Sequence, residues 1–345
     1  MRDFIYSLMT DRRGGGIFKV FKAVLAVLAL FYGMAIAVRR FLYKHKIFET
    51  YSVPMKVISV GNITMGGTGK TPFVIALVDI MKKELGKEPA VLIRGYGWDE
   101  SAMLKLKLPD TPILVGEDRV RSAHRAIKLY GSDTAILDDG FQYWELERDL
   151  EIVLVDSRKP FGNGCLIPRG VLRENKSALK RACIVALTKV DSNSARVNNV
   201  KRWVLRINEA ADFIEVVHRP RHFYDIRKKH NLEVSGVAGK RVVLLSSIGD
   251  PRYFEETIKK LGVVVVRHLA FGDHYNYTEK DKLHIKMRLA EKAFDFIITT
   301  EKDSVKLARM SMAFPEHTLL VMVIEADIVK GKEILIGRLR SLYSS

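Results

Sequence analysis

One segment of the chain combines residue types and spacing that point to phosphate chemistry: Gly61-Asn62-Ile63-Thr64-Met65-Gly66-Gly67-Thr68-Gly69-Lys70-Thr71-Pro72. A glycine-rich turn between a strand and a helix lets backbone N–H groups converge on phosphate oxygens, and the helix N-terminus adds its dipole. Gly66, Gly67, Thr68 and Gly69 would form the cradle. Lys70 would reach the β- and γ-phosphates of ATP, and the Thr71 hydroxyl would ligate Mg2+. Thr64 departs from the GxxxxGK[ST] spacing, because it stands where glycine is usual. The segment predicts a variant nucleotide-binding loop.

Such a loop needs an acid that orients the metal at the end of a neighbouring strand. Asp138-Asp139 ends an apolar run and leads into Gly140-Phe141-Gln142. Adjacent carboxylates at a strand end are costly unless a cation or solvent shares them, which makes both candidate Mg2+ ligands. Cys165 and Cys183 are the only cysteines, too few for a zinc site or a disulfide framework, and they are expected to be reduced thiols.

The elements that must position these groups alternate along the chain. Residues 56–60, 90–93, 134–137, 151–155 and 182–187 are short apolar runs that predict buried strands, and residues 72–83 and 119–130 have helical patterns. Strands alternating with helices predict a mostly parallel sheet covered on both faces, of the P-loop NTPase type. The polar stretch 190–202 predicts a loop. A second, smaller α/β unit follows, with strands at 241–245, 263–267, 296–299 and 318–323 and helices at 253–261 and 279–292. The expected organisation is an N-terminal segment (1–50), a P-loop domain (51–204), a connection (205–238) and a C-terminal α/β domain (239–345).

Residues 23–38, AVLAVLALFYGMAIAV, carry no charge and are flanked by Arg12, Arg13, Lys19 and Lys22 before and Arg39, Arg40, Lys44 and Lys46 after. Sixteen helical residues rise about 24 Å against a hydrocarbon core of about 30 Å. A membrane-docking helix lying in or dipping into the interface is expected, ahead of a single span, a cleaved leader or a buried soluble helix. The chain has 57 basic and 40 acidic residues, a net charge of +17. That excess suits anionic partners, including an anionic leaflet, without choosing among them.

The motifs then occur in a telling order. Gly61-Asn62 with Gly69-Lys70-Thr71-Pro72 is followed by Arg94-Gly95-Tyr96-Gly97, Asp138-Asp139-Gly140-Phe141-Gln142 and Phe161-Gly162-Asn163-Gly164. Leu166-Ile167-Pro168, Leu172-Arg173-Glu174, Asp273-His274-Tyr275 and Thr300-Glu301-Lys302-Asp303 come after. Over about residues 40 to 310 this set resembles the tetraacyldisaccharide 4'-kinase family of the lipid A pathway. The resemblance implies transfer of the γ-phosphoryl of ATP to the 4'-hydroxyl of a tetraacylated glucosamine disaccharide 1-phosphate. It also implies docking on the cytosolic face of the cytoplasmic membrane and two α/β domains with the active site in the cleft between them. An acylated disaccharide phosphate is then the partner, with no obligate protein partner evident.

The same resemblance implies a catalytic pair, an aspartate from a Gly-Asp-Glu-Pro motif and the histidine of Asp-His-Tyr. His274 fits the second. No GDEP is present, but Trp98-Asp99-Glu100 directly follows the RGYG motif, so Asp99 is taken as the counterpart and Glu117 as its competitor. A sugar hydroxyl must lose a proton as it attacks, which is what a His–carboxylate pair can accept. Glu174 is carried over as a metal-site residue, and Asn62 and Arg173 as substrate-contacting residues. Val171 and Asn175 replace the family's prolines around them. Gly95 and Gly97 are expected to let the chain turn beside the site.

Two other classes compete. Thr188-Lys189-Val190-Asp191 and Thr300-Glu301-Lys302-Asp303 imitate the guanine-reading motif of a membrane-associated GTP-binding switch, but a properly spaced DxxG motif is missing. A nucleic-acid-dependent ATPase would suit the charge, yet no aromatic RNA platform or helix-turn-helix signature accompanies it, and no nucleic-acid partner is expected.

Overall fold

The computed structural model describes residues 2–11, 15–95, 98–191, 194–227, 230–291, 293–308 and 318–344. Two N-terminal helices, α1 (Arg2–Met9) and α2 (Gly16–Lys44), precede β1 (Lys56–Asn62), α3 (Lys70–Leu85) and β2 (Ala90–Ile93). Then come α4 (Trp98–Lys107), β3 (Ile113–Val115), α5 (Arg119–Tyr130), β4 (Thr134–Asp138) and β5 (Leu150–Asp156). The chain continues through β6 (Ile184–Thr188), α6 (Ser194–Leu205), β7 (Asp212–Asp225), β8 (Asn231–Glu233) and β9 (Arg241–Ser246). It ends with α7 (Pro251–Lys259), β10 (Val264–Ala270), α8 (Glu279–Ala290), β11 (Phe296–Thr300), α9 (Glu301–Ala308), β12 (Thr318–Lys330) and α10 (Lys332–Ser341).

These elements cluster into two compact units. The first holds residues 1–95, 108–218 and 326–345, and the second holds residues 96–107 and 219–325. In the first unit β6, β5, β1, β4, β2 and β3 are neighbours in that order, all parallel. Strands β4, β5 and β6 are buried along their whole length, and so is β1 apart from half-buried Lys56. Continuous Val, Ile and Leu runs are what a sheet covered on both faces requires. Register aligns Val60 of β1 with Asp138 of β4, so the loop leaving β1 and the acidic pair leaving β4 emerge side by side. The strand order switches sides at β1, with β4 on one side and β5 on the other, the usual place for a ligand in an open α/β sheet.

In the second unit β9 lies between β10 and β11, and β11 pairs with β12, again in parallel. Successive residues of β9 point to opposite faces. Val242 and Leu244 pack with Phe254 and Ile258 of α7, whereas Val243 and Leu245 pack with Ile285 and Leu289 of α8. Because Ser246 of β9 aligns with Ala270 of β10, and Leu245 with Thr299 of β11, the loops after all three strands leave the same edge.

The P-loop-type mostly parallel α/β architecture is as expected. Two local expectations are corrected. The stretch 190–202 is not a loop throughout: α6 occupies Ser194–Leu205. Its Val197, Val200 and Val204 recur at helical spacing and are buried, a stripe that surrounding Asn, Arg and Lys residues obscure. The segment 205–238 is more than a connection, because it contains the 14-residue strand β7.

Helix α2 carries the uncharged run within a longer helix of 29 residues, about 44 Å, that includes its basic flanks from Lys19 to Lys44. Only Ala29 of its residues is buried, so it is not a core helix of this chain. Val20, Val24, Val27, Leu30, Phe31 and Met34 are exposed along it. Tyr32, on another side, donates from its hydroxyl to the carbonyl of Arg173 at 3.0 Å. The helix is long and apolar enough to enter a membrane.

Candidate active site

Strand β1 delivers the chain into the phosphate loop already constrained. Gly61 has no room for a side chain, since a Cβ there would lie 2.5 Å from Phe141 Cβ. Thr64, the residue in place of the usual glycine, forms an isolated antiparallel bridge with Leu172, an extended conformation in which threonine is at ease. Met65 N donates to Val171 O at 2.7 Å and Arg173 N to Ile63 O at 2.8 Å, so the loop and the Arg173 segment are laced together. Gly66 takes φ +108 and Gly69, which caps α3, takes φ +85. A Cβ on Gly69 would meet His218 Nε2 at 2.3 Å. His218 is buried, and that burial, with the charge of Lys189, lowers its pKa to about 4, so a neutral ring packs under the loop.

Lys70 and Thr71 open α3, both half-buried. Lys70 Nζ lies 3.4 Å from Asp139, and Arg173 Nη1 lies 2.8 Å from each Asp139 oxygen. Burial would raise the Asp139 carboxyl, but Lys70 and Arg173 hold it well below the usual carboxylate range. Asp139 adopts φ +59, which turns it away from the line of β4. Asp138 is buried at the end of that strand, and its carbonyl accepts from Arg119 at 3.3 Å. Asn62 is fully buried and its amide donates to Thr68 Oγ1 at 2.9 Å, bracing the two ends of the loop. Glu174 is buried too, accepting from Arg181 at 2.9 and 3.1 Å and from Gln142 at 3.1 Å.

Among the described residues no group of three or more His, Cys, Asp or Glu side chains is placed to hold a metal by itself. The donor set nevertheless fits Mg2+ delivered with a nucleotide, which keeps waters and phosphate oxygens and takes only one or two protein oxygens. Thr71 and the Asp138–Asp139 pair carry oxygens of that kind.

The second group of residues lies wholly within the second unit. Asp99 sits in the first turn of α4 and is 2% exposed. His274, in the loop after β10, places Nδ1 3.5 Å from Asp99 Oδ2. Lys306 of α9 lies 3.1 Å from the same oxygen. Lys302, one turn earlier, donates to His274 Nε2 at 3.1 Å and lies 3.3 Å from both Glu100 and Asp273. Burial would raise the Asp99 carboxyl, but the contact with His274 and the charges of Lys302 and Lys306 hold it far below its ordinary value. The Asp99 contact in turn raises the His274 pKa, against opposing effects of burial and Lys302. The structure therefore brings Asp99 and His274 together, although 174 positions separate them in sequence. Glu117 is exposed, in the first unit, next to the Asp118 cap of α5. Gly95 turns with φ +86, and Gly97 lies outside the described residues.

Both guanine-motif imitations are occupied by the protein itself. Lys189 is 3% exposed and paired with Asp156 at 2.7 Å, and Asp191 is paired with Arg196 at 3.2 Å. Lys302 and Asp303 belong to the cluster around His274 and Asp99. The sequence reading gave no role to Lys302, Lys306, Gln142 or Arg181. The two lysines carried a signal, an i, i+4 spacing that starts at the lysine of Thr300-Glu301-Lys302-Asp303, where β11 gives way to α9.

Comparison with known proteins follows the same lines. The family described as tetraacyldisaccharide-1-P 4'-kinase matches over residues 21–99 and 98–341. A tetraacyldisaccharide 4'-kinase of Syntrophus aciditrophicus is 36% identical over 327 residues, covering 86% of this chain and 87% of the relative. One of Elusimicrobium minutum is 36% identical over 337 residues, covering 90% and 88%. A crystal structure of LpxK from Aquifex aeolicus in complex with ATP superposes with a TM-score of 0.70 at 23% identity, over 94% of this chain and 99% of that one.

Proposed function

The chain belongs to the tetraacyldisaccharide-1-P 4'-kinase family, and we infer from that membership and from its two side-chain clusters how it carries out phosphoryl transfer. It is an ATP-dependent kinase acting on the 4'-hydroxyl of a tetraacyldisaccharide 1-phosphate, a step of lipid A biosynthesis.

Gly66 to Gly69 cradle the nucleotide phosphates, and Lys70 stabilises the charge that develops on the transferred group. Thr71, Asp138 and Asp139 are the residues that would hold Mg2+, which would neutralise phosphate oxygens when bound with the nucleotide. Arg173 stands beside Lys70 at Asp139 and adds positive charge facing the acceptor's phosphate or the donor's. Glu174 acts from behind through Arg181 and Gln142, and Asn62 by bracing the loop. Asp99 accepts the proton of the 4'-hydroxyl, with His274 sharing it. As the O–H bond breaks, the sugar oxygen bonds to the γ-phosphorus and the bond to the β–γ bridging oxygen opens, leaving ADP. The observation that carries these assignments is the Asp99–His274 contact, a base pair assembled from remote segments inside one unit.

The exposed apolar length of α2 and the +17 charge support docking on the cytosolic face of the cytoplasmic membrane, where the acylated, anionic substrate resides. The test is transfer of label from γ-labelled ATP to a tetraacyldisaccharide 1-phosphate in detergent micelles. Labelled lipid product is expected, and its absence at every enzyme concentration would overturn the assignment. GTP retained more tightly than ATP would instead favour a switch.

A further inference from the structure

Lys306 is a buried cation that takes no step in the transfer described above. It is 4% exposed, and its ammonium meets Ser247 Oγ at 2.9 Å, Asp99 Oδ2 at 3.1 Å and Asp303 Oδ1 at 3.8 Å. A buried ammonium needs a counter-charge, and a structural lysine would find one in Asp303, three residues back on the same helix and fully buried. The ammonium instead lies closer to Asp99.

The rest of the cluster explains why. Asp303 is already engaged by Ser247 N at 2.9 Å, by Ser247 Oγ, by Thr300 Oγ1 at 2.8 Å and by Tyr277 OH at 3.4 Å. Thr300 also accepts from Asp303 N at 3.2 Å, which fixes the start of α9. Ser247 and Asp303 together form a rigid rest that leaves the ammonium turned toward Asp99. Helical spacing then places Lys302, four residues earlier, at His274.

We propose that Lys306 is a positioning residue of the acceptor-activating pair, holding the Asp99 carboxylate ionised and in place to receive the hydroxyl proton. This rests on Asp99 and His274 being that pair. Among the described residues, His274 in the loop after β10 and Lys306 on α9 contact Asp99 directly; Lys302 on α9, Asp273 in the loop and Glu100 on the helix of Asp99 contact His274, Asp303 contacts Lys306, and Tyr277 contacts Asp303. Lys306 is the cation nearest its carboxylate. Removing it leaves burial to favour protonation of Asp99, so the acid limb of the acceptor's kcat/KM profile must move to higher pH.

The experiment uses the full-length chain in micelles, with kcat/KM for the tetraacylated acceptor followed over about pH 5.5 to 9. Lys306→Met should move the acid limb up by about one unit, a roughly tenfold loss at the acidic end that recovers at alkaline pH. ATP binding should be unchanged, and Lys306→Arg should restore the limb. A folded Lys306→Met with a uniform loss at every pH would reduce Lys306 to a structural role. If that variant does not fold, Ser247→Ala, which removes one partner of the ammonium, should move the limb the same way by less; an unmoved limb there overturns the proposal. Asp99→Asn separates the two ideas. Full turnover in Asp99→Asn would remove the base assignment itself, whereas an inactive Asp99→Asn beside an unshifted Lys306→Met would remove only the role of Lys306.

Discussion

Lys302 Nζ lies 3.1 Å from His274 Nε2, and because an ammonium can only donate, Nε2 must be the accepting nitrogen of a neutral ring. The ring proton is then on Nδ1, the nitrogen that faces Asp99 Oδ2 at 3.5 Å. Lys302 thus selects the tautomer in which histidine and carboxylate can share a proton. Lys302→Gln should lower kcat by about tenfold, the usual lower range for misplacing an acid–base group, with little change in KM for ATP. Steady-state kinetics with acceptor saturating check this. Unchanged kcat would mean that the tautomer is set by something else.

The pH dependence follows from the same pair. As the proposed base, the Asp99–His274 pair can take the hydroxyl proton only when it does not already carry one, and the Asp99 contact raises the His274 pKa above its ordinary 6.5. Activity should therefore rise with pH through a limb centred above that value, and His274→Asn should remove the limb along with most of the rate. Stability runs in the opposite sense. A raised folded pKa means that the protonated form is favoured by folding, so the contribution is complete below the unfolded value and disappears as pH rises through the folded one. The difference in thermal midpoint between wild type and His274→Asn should shrink as pH rises past the ordinary 6.5.

Asp99 and Glu117 make opposite predictions. Asp99 is buried against His274 and Lys306, whereas Glu117 is exposed beside the cap of α5. Asp99→Ala should lower turnover by about two to four orders of magnitude with ATP affinity retained, and Glu117→Ala should be mild. The reverse pattern would move the role of base to Glu117.

The sheet was legible because its strands are buried on both faces and therefore read as unbroken Val, Ile and Leu runs, as at residues 134–137 and 151–155. The turn from β1 into α3 was legible because its glycines and the apolar runs beside it are close together in sequence. Helix α6 was not, since three valines must outweigh nine other residues that are mostly polar. The lysines at 302 and 306 were hidden for another reason. Their meaning depends on which loops share a sheet edge, and only the β10-β9-β11 order places Ser247, His274 and Asp303 together.

Gly69 offers a test of the loop that is independent of the acceptor. Its φ of +85 costs an L-residue about 1–2 kcal/mol, and a Cβ would lie 2.3 Å from His218 Nε2. Gly69→Ala should therefore abolish measurable ATP binding and lower the thermal midpoint. Adding His218→Ala should relieve the collision but not the backbone strain, so stability should recover only in part. Full recovery of ATP binding in the double variant would show that the collision alone mattered.

Asp139 joins Lys70 at 3.4 Å to Arg173 at 2.8 Å, so the carboxylate proposed for Mg2+ is also the one that restrains Lys70. The two cations keep it ionised, and any metal must compete with them for its oxygens. Asp139→Asn keeps the shape but removes the charge, which should raise the Mg2+ concentration needed for half-maximal transfer about tenfold or more and lower kcat. Arg173→Ala should do the opposite to the metal requirement, because one competitor for the carboxylate is gone, while still lowering kcat if Arg173 faces a substrate phosphate. Titrating transfer with Mg2+ after chelation, in both variants, distinguishes these effects. A metal requirement that rises in both would place Asp139 in loop architecture rather than at the metal.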